Sequence, residues 1–244
     1  MPLPHMSPAS LAARATGYLD FLEVWLRERP TADMAEIIAT AGGPERVAIV
    51  VVDVTVGFCH RGPLASPRIA ALLPRIVHLL THAHAAGIRA FALPQDAHTV
   101  DAQEFGSFPA HCVRDSEEAR TAPALAELPF AGDFTVIPKN SISSSLGTTF
   151  DAWDAHAGPF AAYIVVGDCT DFCVYQAAMA LKLRSNAAAL NTRVLVPSDA
   201  VDTFDISLAS ARATDAQPHP ADLYHHIFLH SLATNGVEIL DSIQ

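Results

Sequence analysis

The chain has 244 residues, half of them hydrophobic and 17% charged, with 15 Lys and Arg against 26 Asp and Glu for a formal charge of −11. That length and apolar content suit one large α/β domain and argue against disorder, while the acidic balance excludes a nucleic-acid partner, which needs clustered Lys and Arg. The apolar runs, such as Val47 to Val52, are far too short to span a bilayer, four cysteines follow no framework spacing and no leader is visible before Ser10, so a cytoplasmic setting with no membrane partner is expected.

In chain order, residues 1–45 read as an N-terminal helical extension, with an amphipathic helix over Leu11–Arg29 and a shorter one over Thr31–Ala41. It suits a packing or subunit-contact arm better than chemistry. Over residues 46–244, strand-like runs rich in β-branched residues fall at Val47–Asp53, Ile88–Leu93, Phe134–Ile137, Tyr163–Val166, Arg193–Val196 and Val237–Leu240. They alternate with helix-like segments at Ser66–Ala86, Ser116–Leu128, Thr149–His156, Cys173–Ala189 and Pro220–Ala233. Strands apolar on both faces, alternating with helices, predict an α/β fold: a three-layer α-β-α sandwich around a mostly parallel, roughly six-stranded sheet. Ligands in such sheets collect at the carboxyl ends of the strands. The stretch 94–115 is the one long loop inside the domain, and such loops are usually functional.

Three reactive residue types leave strand ends on that rim. Asp53 closes the first run, Lys139 follows Phe134–Ile137, and Cys173 stands in Gly167-Asp168-Cys169-Thr170-Asp171-Phe172-Cys173-Val174, between a strand and a helix. A cysteine at a helix N-terminus meets unpaired N–H groups, which can pull a thiol pKa from about 8.5 to roughly 3.5–7.5. Each residue alone has a plainer reading: a turn or N-cap acid, a solvated lysine, a buried structural cysteine. Their convergence on one edge favours chemistry. The long loop adds Asp96, His98, Glu104 and His111, two carboxylates and two imidazoles suited to a borderline divalent ion: zinc first, with iron or manganese as alternatives. The pairs His82/His84 and His225/His226 read as surface or packing residues.

From about residue 45 to the C-terminus, these motifs resemble the isochorismatase-like cysteine hydrolase family, above all its nicotinamidase-related branch. The resemblance implies an isochorismatase-like, Rossmann-like fold with Cys173 as nucleophile, Asp53 as general base and Lys139 as the charge that holds the pair. It also implies an oxyanion hole from the backbone N–H groups of Cys169 and Cys173, with a cis peptide between Asp168 and Cys169. Phe58 matches an aromatic that packs on the substrate ring. The D-x-H of Asp96/His98 and the P-x-H-C of Pro109 to Cys112 resemble the metal site of nicotinamidases, with Glu104 where some members add a ligand. One divalent ion, a small amide substrate with ammonia release, and a homo-oligomer (dimer or tetramer) follow from that likeness.

Two departures bear on the substrate. Thr55 and Gly57 replace the Gln and Asp of D-x-Q-x-D-F, and the segment from Lys139 to Phe150 lacks the aromatic ahead of S-A-F, which predicts a more polar cavity. Within the family, N-carbamoyl or ureido compounds and isochorismate are alternative substrates; the loop ligands argue against isochorismate. From other classes, a non-catalytic metal-binding or scaffold relative and a Cys169/Cys173 redox pair remain.

Overall fold

The computed structural model describes residues 10–214 and 216–244; residues 1–9, the start of the extension and the stretch read as carrying no leader, lie outside them. Helices α1 (Leu11–Arg27) and α2 (Met34–Ala41) come first. Strands follow as β1 (Val47–Val52), β2 (Ala90–Asp96), β3 (Phe134–Lys139), β4 (Ala162–Asp168), β5 (Arg193–Pro197), β6 (Val201–Asp202) and β7 (Glu238–Leu240). Between them lie α3 (Val56–Cys59), α4 (Pro67–Ala70), α5 (Leu73–Ala85), α6 (Pro123–Ala126), α7 (Phe150–Ala157), α8 (Cys173–Ala187), α9 (Leu208–Thr214) and α10 (Ala221–Thr234).

The strands form one sheet in the order β3-β2-β1-β4-β5-β7, with β6 pairing β4 beyond the end of β5, and every pairing is parallel. β1 is central and its six aliphatic residues are fully buried. Val47, Ile49 and Val51 face one core with Ile76 and Leu80 of α5 and Met34 and Ile37 of α2. Ala48, Val50 and Val52 face the other with Val174, Ala177 and Leu181 of α8 and Leu229 of α10. At about 1.5–3 kcal/mol per buried aliphatic side chain, two such cores fix β1 firmly, and with it the residue that follows. α1 packs along α10, and residues after it pair with the chain end, Met34 N–H on the Gln244 carbonyl at 2.7 Å and Gln244 N–H on Ala32 at 2.8 Å.

The sheet has seven strands where about six were expected, because β6 is only two residues long and leaves no periodic signal. β2 begins two residues later than expected and runs through Pro94 to Asp96. The proline is tolerated because its carbonyl, not the missing N–H, meets Asp53 N–H at 2.9 Å. The helix expected over Ser66–Ala86 breaks into α4 and α5, since Pro74 cannot donate to the Ala70 carbonyl and instead sits in the first turn of a new helix. The helix expected over Ser116–Leu128 shrinks to α6. Its backbone is taken by the turn after β1, with Val56 N–H on Arg120 O, Gly57 N–H on Glu118 O and Ala122 N–H on Val54 O. Exposed α9 was not foreseen. Gly167 is required where it stands: at φ +112° its Cβ would lie 2.0 Å from the Val52 carbonyl oxygen, so only glycine lets β4 approach the end of β1.

Candidate active site

Asp53 leaves β1 in the left-handed region at φ +54°, a conformation uncommon for a non-glycine residue, and its Oδ1 accepts the Asp96 N–H at 2.8 Å. The β2–β3 register sets Asp96 beside Lys139, so both are the last residues of their strands. The Lys139 ammonium then lies 2.8 Å from Asp53 Oδ2, 2.5 Å from Asp96 Oδ1 and 3.5 Å from Cys173 Sγ, with the Ser141 carbonyl at 3.3 Å. All four side chains are buried. Taking a lone ammonium out of water costs several kcal/mol, and two carboxylates are what make this burial tolerable. Burial alone would lower the Lys139 pKa, yet Asp53 and Asp96 hold it well above the ordinary lysine value. Burial, seconded by the Asp96 carboxylate, pushes Asp53 up to about 6 against the pull of Lys139. Burial would raise Asp96 as well, but Lys139 and the two histidines keep it well below the usual carboxylate range.

Cys173 opens α8, so its N–H is among the first four without a helical partner. In the preceding turn the Asp168–Cys169 peptide is cis. Thr170 N–H donates to Asp202 O, and Phe172 and Val174 N–H both donate to Cys169 O, which leaves the Cys169 and Cys173 N–H groups outside the hydrogen bonds of this turn. The thiol itself departs from the expectation for a helix N-terminus. Burial, joined by the carboxylates of Asp53 and Asp96, pushes Cys173 well above the ordinary value, and Lys139 only partly opposes them. Burial thus favours the neutral thiol at Cys173, in reach of the Asp53 carboxylate. Cys169 is also free, and burial and Asp168 push its thiol well up.

On the other side of Asp96, its Oδ2 lies 3.3 Å from His98 Nε2 and 3.5 Å from His111 Nε2, and the three residues offer ligand atoms all within 4.8 Å of one another. The remote ring nitrogens are held from behind, His98 Nδ1 at 3.3 Å from Asn140 Oδ1 and His111 Nδ1 at 2.8 Å from the Pro109 carbonyl. Both Nε2 atoms thus face inward, and that of His98 is buried with no hydrogen-bond partner. Such an orphaned nitrogen, backed by an orienting acceptor, fits a metal ligand. Glu104 stands a step away, with Oε2 at 3.9 Å from His98 Nε2 and Oε1 taken by the Ile142 N–H at 2.9 Å. Asp53, Asp96 and Cys173 also cluster, but Lys139 already supplies the positive charge among them.

Above these groups opens a narrow cavity whose walls are Phe58, Leu64, Phe108, Ile142, Phe172 and Phe204. It is apolar, not the more polar cavity expected from the missing aromatic. Ser144, in the segment that lacks the ring, is buried and does not line it. Phe58 lies at the wall, edge-on to His111 at 5.6 Å. Phe108 and Phe172 were legible as neighbours of His111 and Cys173 but were not singled out. Phe204 follows the two-residue β6 and carried no signal. Asp168 at the cavity floor was also missed; burial and the nearby Asp53 push its carboxyl well up. Gly57 has a steric origin, since a Cβ there would lie 2.4 Å from Cys112 Sγ.

Residues 47–242 match the family model described as the isochorismatase domain. The chain is 31% identical over 158 residues to Nicotinamidase 1 of Arabidopsis thaliana, covering 61% of this chain and 64% of that relative's length. Among solved structures it resembles a nicotinamidase from Bacillus subtilis, with TM-score 0.61 and 20% identity over 80% of this chain and 99% of that one. It also resembles an N-carbamoylsarcosine amidase from Thermoplasma acidophilum, with TM-score 0.56 and 22% identity over 72% and 96%. These two likenesses establish the shared architecture.

Proposed function

The chain belongs to the isochorismatase family, and from that premise we propose that it is a cysteine hydrolase that releases ammonia from a small, uncharged aromatic carboxamide, as a nicotinamidase does. The observation that carries this reading is Lys139 Nζ, held 2.8 Å from Asp53 and 3.5 Å from Cys173 Sγ at the base of an apolar cavity. A buried ammonium between the carboxylate and the thiol stabilises the thiolate that appears as the proton moves to Asp53, since the negative charge passes from one side of the ammonium to the other. Asp53, lifted to about 6, takes the Cys173 proton as Sγ attacks the carboxamide carbon. The Cys169 and Cys173 N–H groups receive the oxyanion; each such donor is worth about 10²–10³ in rate. Asp53 then returns the proton to the departing nitrogen, leaving a thioester, and activates the water that hydrolyses it.

Asp96, His98 and His111 would hold a divalent ion, zinc before iron or manganese, with Glu104 in reserve. When bound, the ion supplies a Lewis-acid anchor for a ring nitrogen or a water. No Lys or Arg lines the cavity walls, so apart from the ion held at Asp96, His98 and His111 a substrate carboxylate finds no cationic side chain there, which favours an uncharged amide over an N-carbamoyl amino acid or isochorismate. The reading includes residues 1–45 as a helical extension to a hydrolase domain over 46–244, a cytoplasmic setting for its four free cysteines, and assembly as a dimer or tetramer. In support of assembly, Leu11, Tyr18, Phe21 and Val24 of α1 expose apolar surface for a second copy. The test is ammonia release from nicotinamide, benzamide and an N-carbamoyl amino acid by metal-loaded protein. Turnover of nicotinamide that vanishes in Cys173→Ala is expected; turnover confined to the N-carbamoyl acid would overturn the substrate class.

A further inference from the structure

The aromatic wall is held from behind by a group that the chemistry above does not use. His219 is buried, with its ring stacked on Phe204 at 4.0 Å and 20° and close to parallel with Phe172 at 5.8 Å. Phe172 and Phe204 are themselves stacked at 6.1 Å and 7°, and both face the cavity. The two nitrogens of His219 each meet an acceptor: Nδ1 lies 2.7 Å from the Phe204 carbonyl and Nε2 lies 2.8 Å from Asp171 Oδ2. A carbonyl can only accept, so Nδ1 carries a proton; a bare Nε2 would then point its lone pair at a carboxylate. Both contacts are satisfied together when the ring is an imidazolium, and a cation lying over the Phe204 face gains further from the ring quadrupole.

Among the described residues, few other contacts fix the segment between the two. Phe204 follows the short β6, His219 and Ile206 exchange backbone hydrogen bonds of 2.9 Å, and α9 between them buries only Ala211. We propose that His219 is a positioning residue: as an imidazolium joining the Asp171 carboxylate to the Phe204 carbonyl, it clamps the Phe204–Phe172 wall, so that its protonation sets how well the cavity receives an aromatic ring. The groups that face it are Asp171 in the turn before α8, Asp205 in its own loop with Oδ1 on the Ala221 N–H at 3.0 Å, and Tyr224 of α10, edge-on at 4.6 Å. Burial would lower the imidazole, but Asp171 and the Phe204 carbonyl hold it above the ordinary histidine value. The substrate side of this inference rests on the aromatic-amide reading; the clamp itself does not.

The experiment therefore reads the wall in two ways. In the wild type, Cys173 is alkylated with N-benzyl iodoacetamide and with iodoacetamide from pH 6 to pH 9, and the ratio of the two rates is followed, which cancels the ionisation of the shared thiol. The ratio should favour the benzyl reagent at low pH and fall about three- to tenfold as His219 loses its proton, the scale of one lost ring contact. In His219→Gln the ratio should be low and flat with pH, and the KM for nicotinamide should rise by a similar factor with the change falling on KM and not on kcat. A pH-independent ratio in the wild type, or a His219→Gln variant with the wild-type ratio and profile, overturns the clamp. If nicotinamide is not turned over while the ratio behaves as expected, the amidase reading fails and the clamp stands.

Discussion

The two oxygens of the Asp96 carboxylate face different chemistries, Oδ1 the Lys139 ammonium and Oδ2 the two histidine Nε2 atoms. Replacing Lys139 with Ala leaves the Asp53 and Asp96 carboxylates buried without their cation, and removing one partner of a buried pair costs about 3–5 kcal/mol. Chemical denaturation should show that loss, and turnover should fall to background; a variant as stable as the wild type would refute the pairing. On the histidine side, elemental analysis of protein loaded with zinc and desalted should find close to one ion per chain, and well under half in His98→Ala or His111→Ala. Equal metal content in all three proteins would remove the ligand assignment. The positions of Asp53 and Lys139 were legible because each closes or follows an apolar run whose end is visible in sequence, and those of His98 and His111 because they stand in the one long loop of the domain. The state of the Cys173 thiol was not, because it depends first on burial in the folded molecule and then on two carboxylates 120 and 77 positions earlier in the chain. His219 was invisible for the same reason, its partners being a carbonyl and an acid brought near only by folding.

Among the elements, the sheet was legible almost strand for strand, since β-branched runs buried on both faces leave a strong signal. The segments that misled are those in which a proline or a borrowed backbone overrides helix periodicity, as at Pro74 and over residues 116–122. The β1–β4 contact was legible only as a motif glycine, and its steric reason needs the structure. Gly167→Ala places a methyl against the Val52 carbonyl and forces φ +112° on a residue with a Cβ, so the β1 and β4 ends must separate. We expect a stability loss of at least 1–3 kcal/mol from the backbone conformation alone, with turnover falling further than stability, since Asp53 and Asp168 move apart. Equilibrium urea denaturation alongside steady-state rates checks this; a fully active, equally stable variant would contradict the tight approach.

For the molecule as a whole, acid sensitivity has a specific contributor. His225 of α10 meets Thr170 Oγ1 at 3.0 Å, and burial, with help from His226 and Arg68, depresses its pKa to about 4. An unfolded histidine titrates near 6.5, so below that pH the unfolded chain binds a proton that the native one refuses. This contribution is full above about 6.5 and drains away as pH falls towards 4. Melting temperatures measured at pH 7 and pH 5 should drop less in His225→Gln than in the wild type, and an equal drop would refute it. Light scattering at micromolar concentration should likewise find a mass of two or four chains, whereas a 26.0 kDa particle would remove the assembly expectation. The strand order carries a consequence in time as well as in space. Asp53, Asp96 and Lys139 come from the β1-β2-β3 half of the sheet, and Cys173 and Phe204 from the half that begins with β4. Neither half contains both the proposed base and the proposed nucleophile, and the β1–β4 pairing that joins the halves links residues more than a hundred positions apart, the kind of contact that forms slowly. During refolding, helical circular dichroism should therefore return before hydrolysis does, and a newly made chain stays chemically silent until its second half has docked.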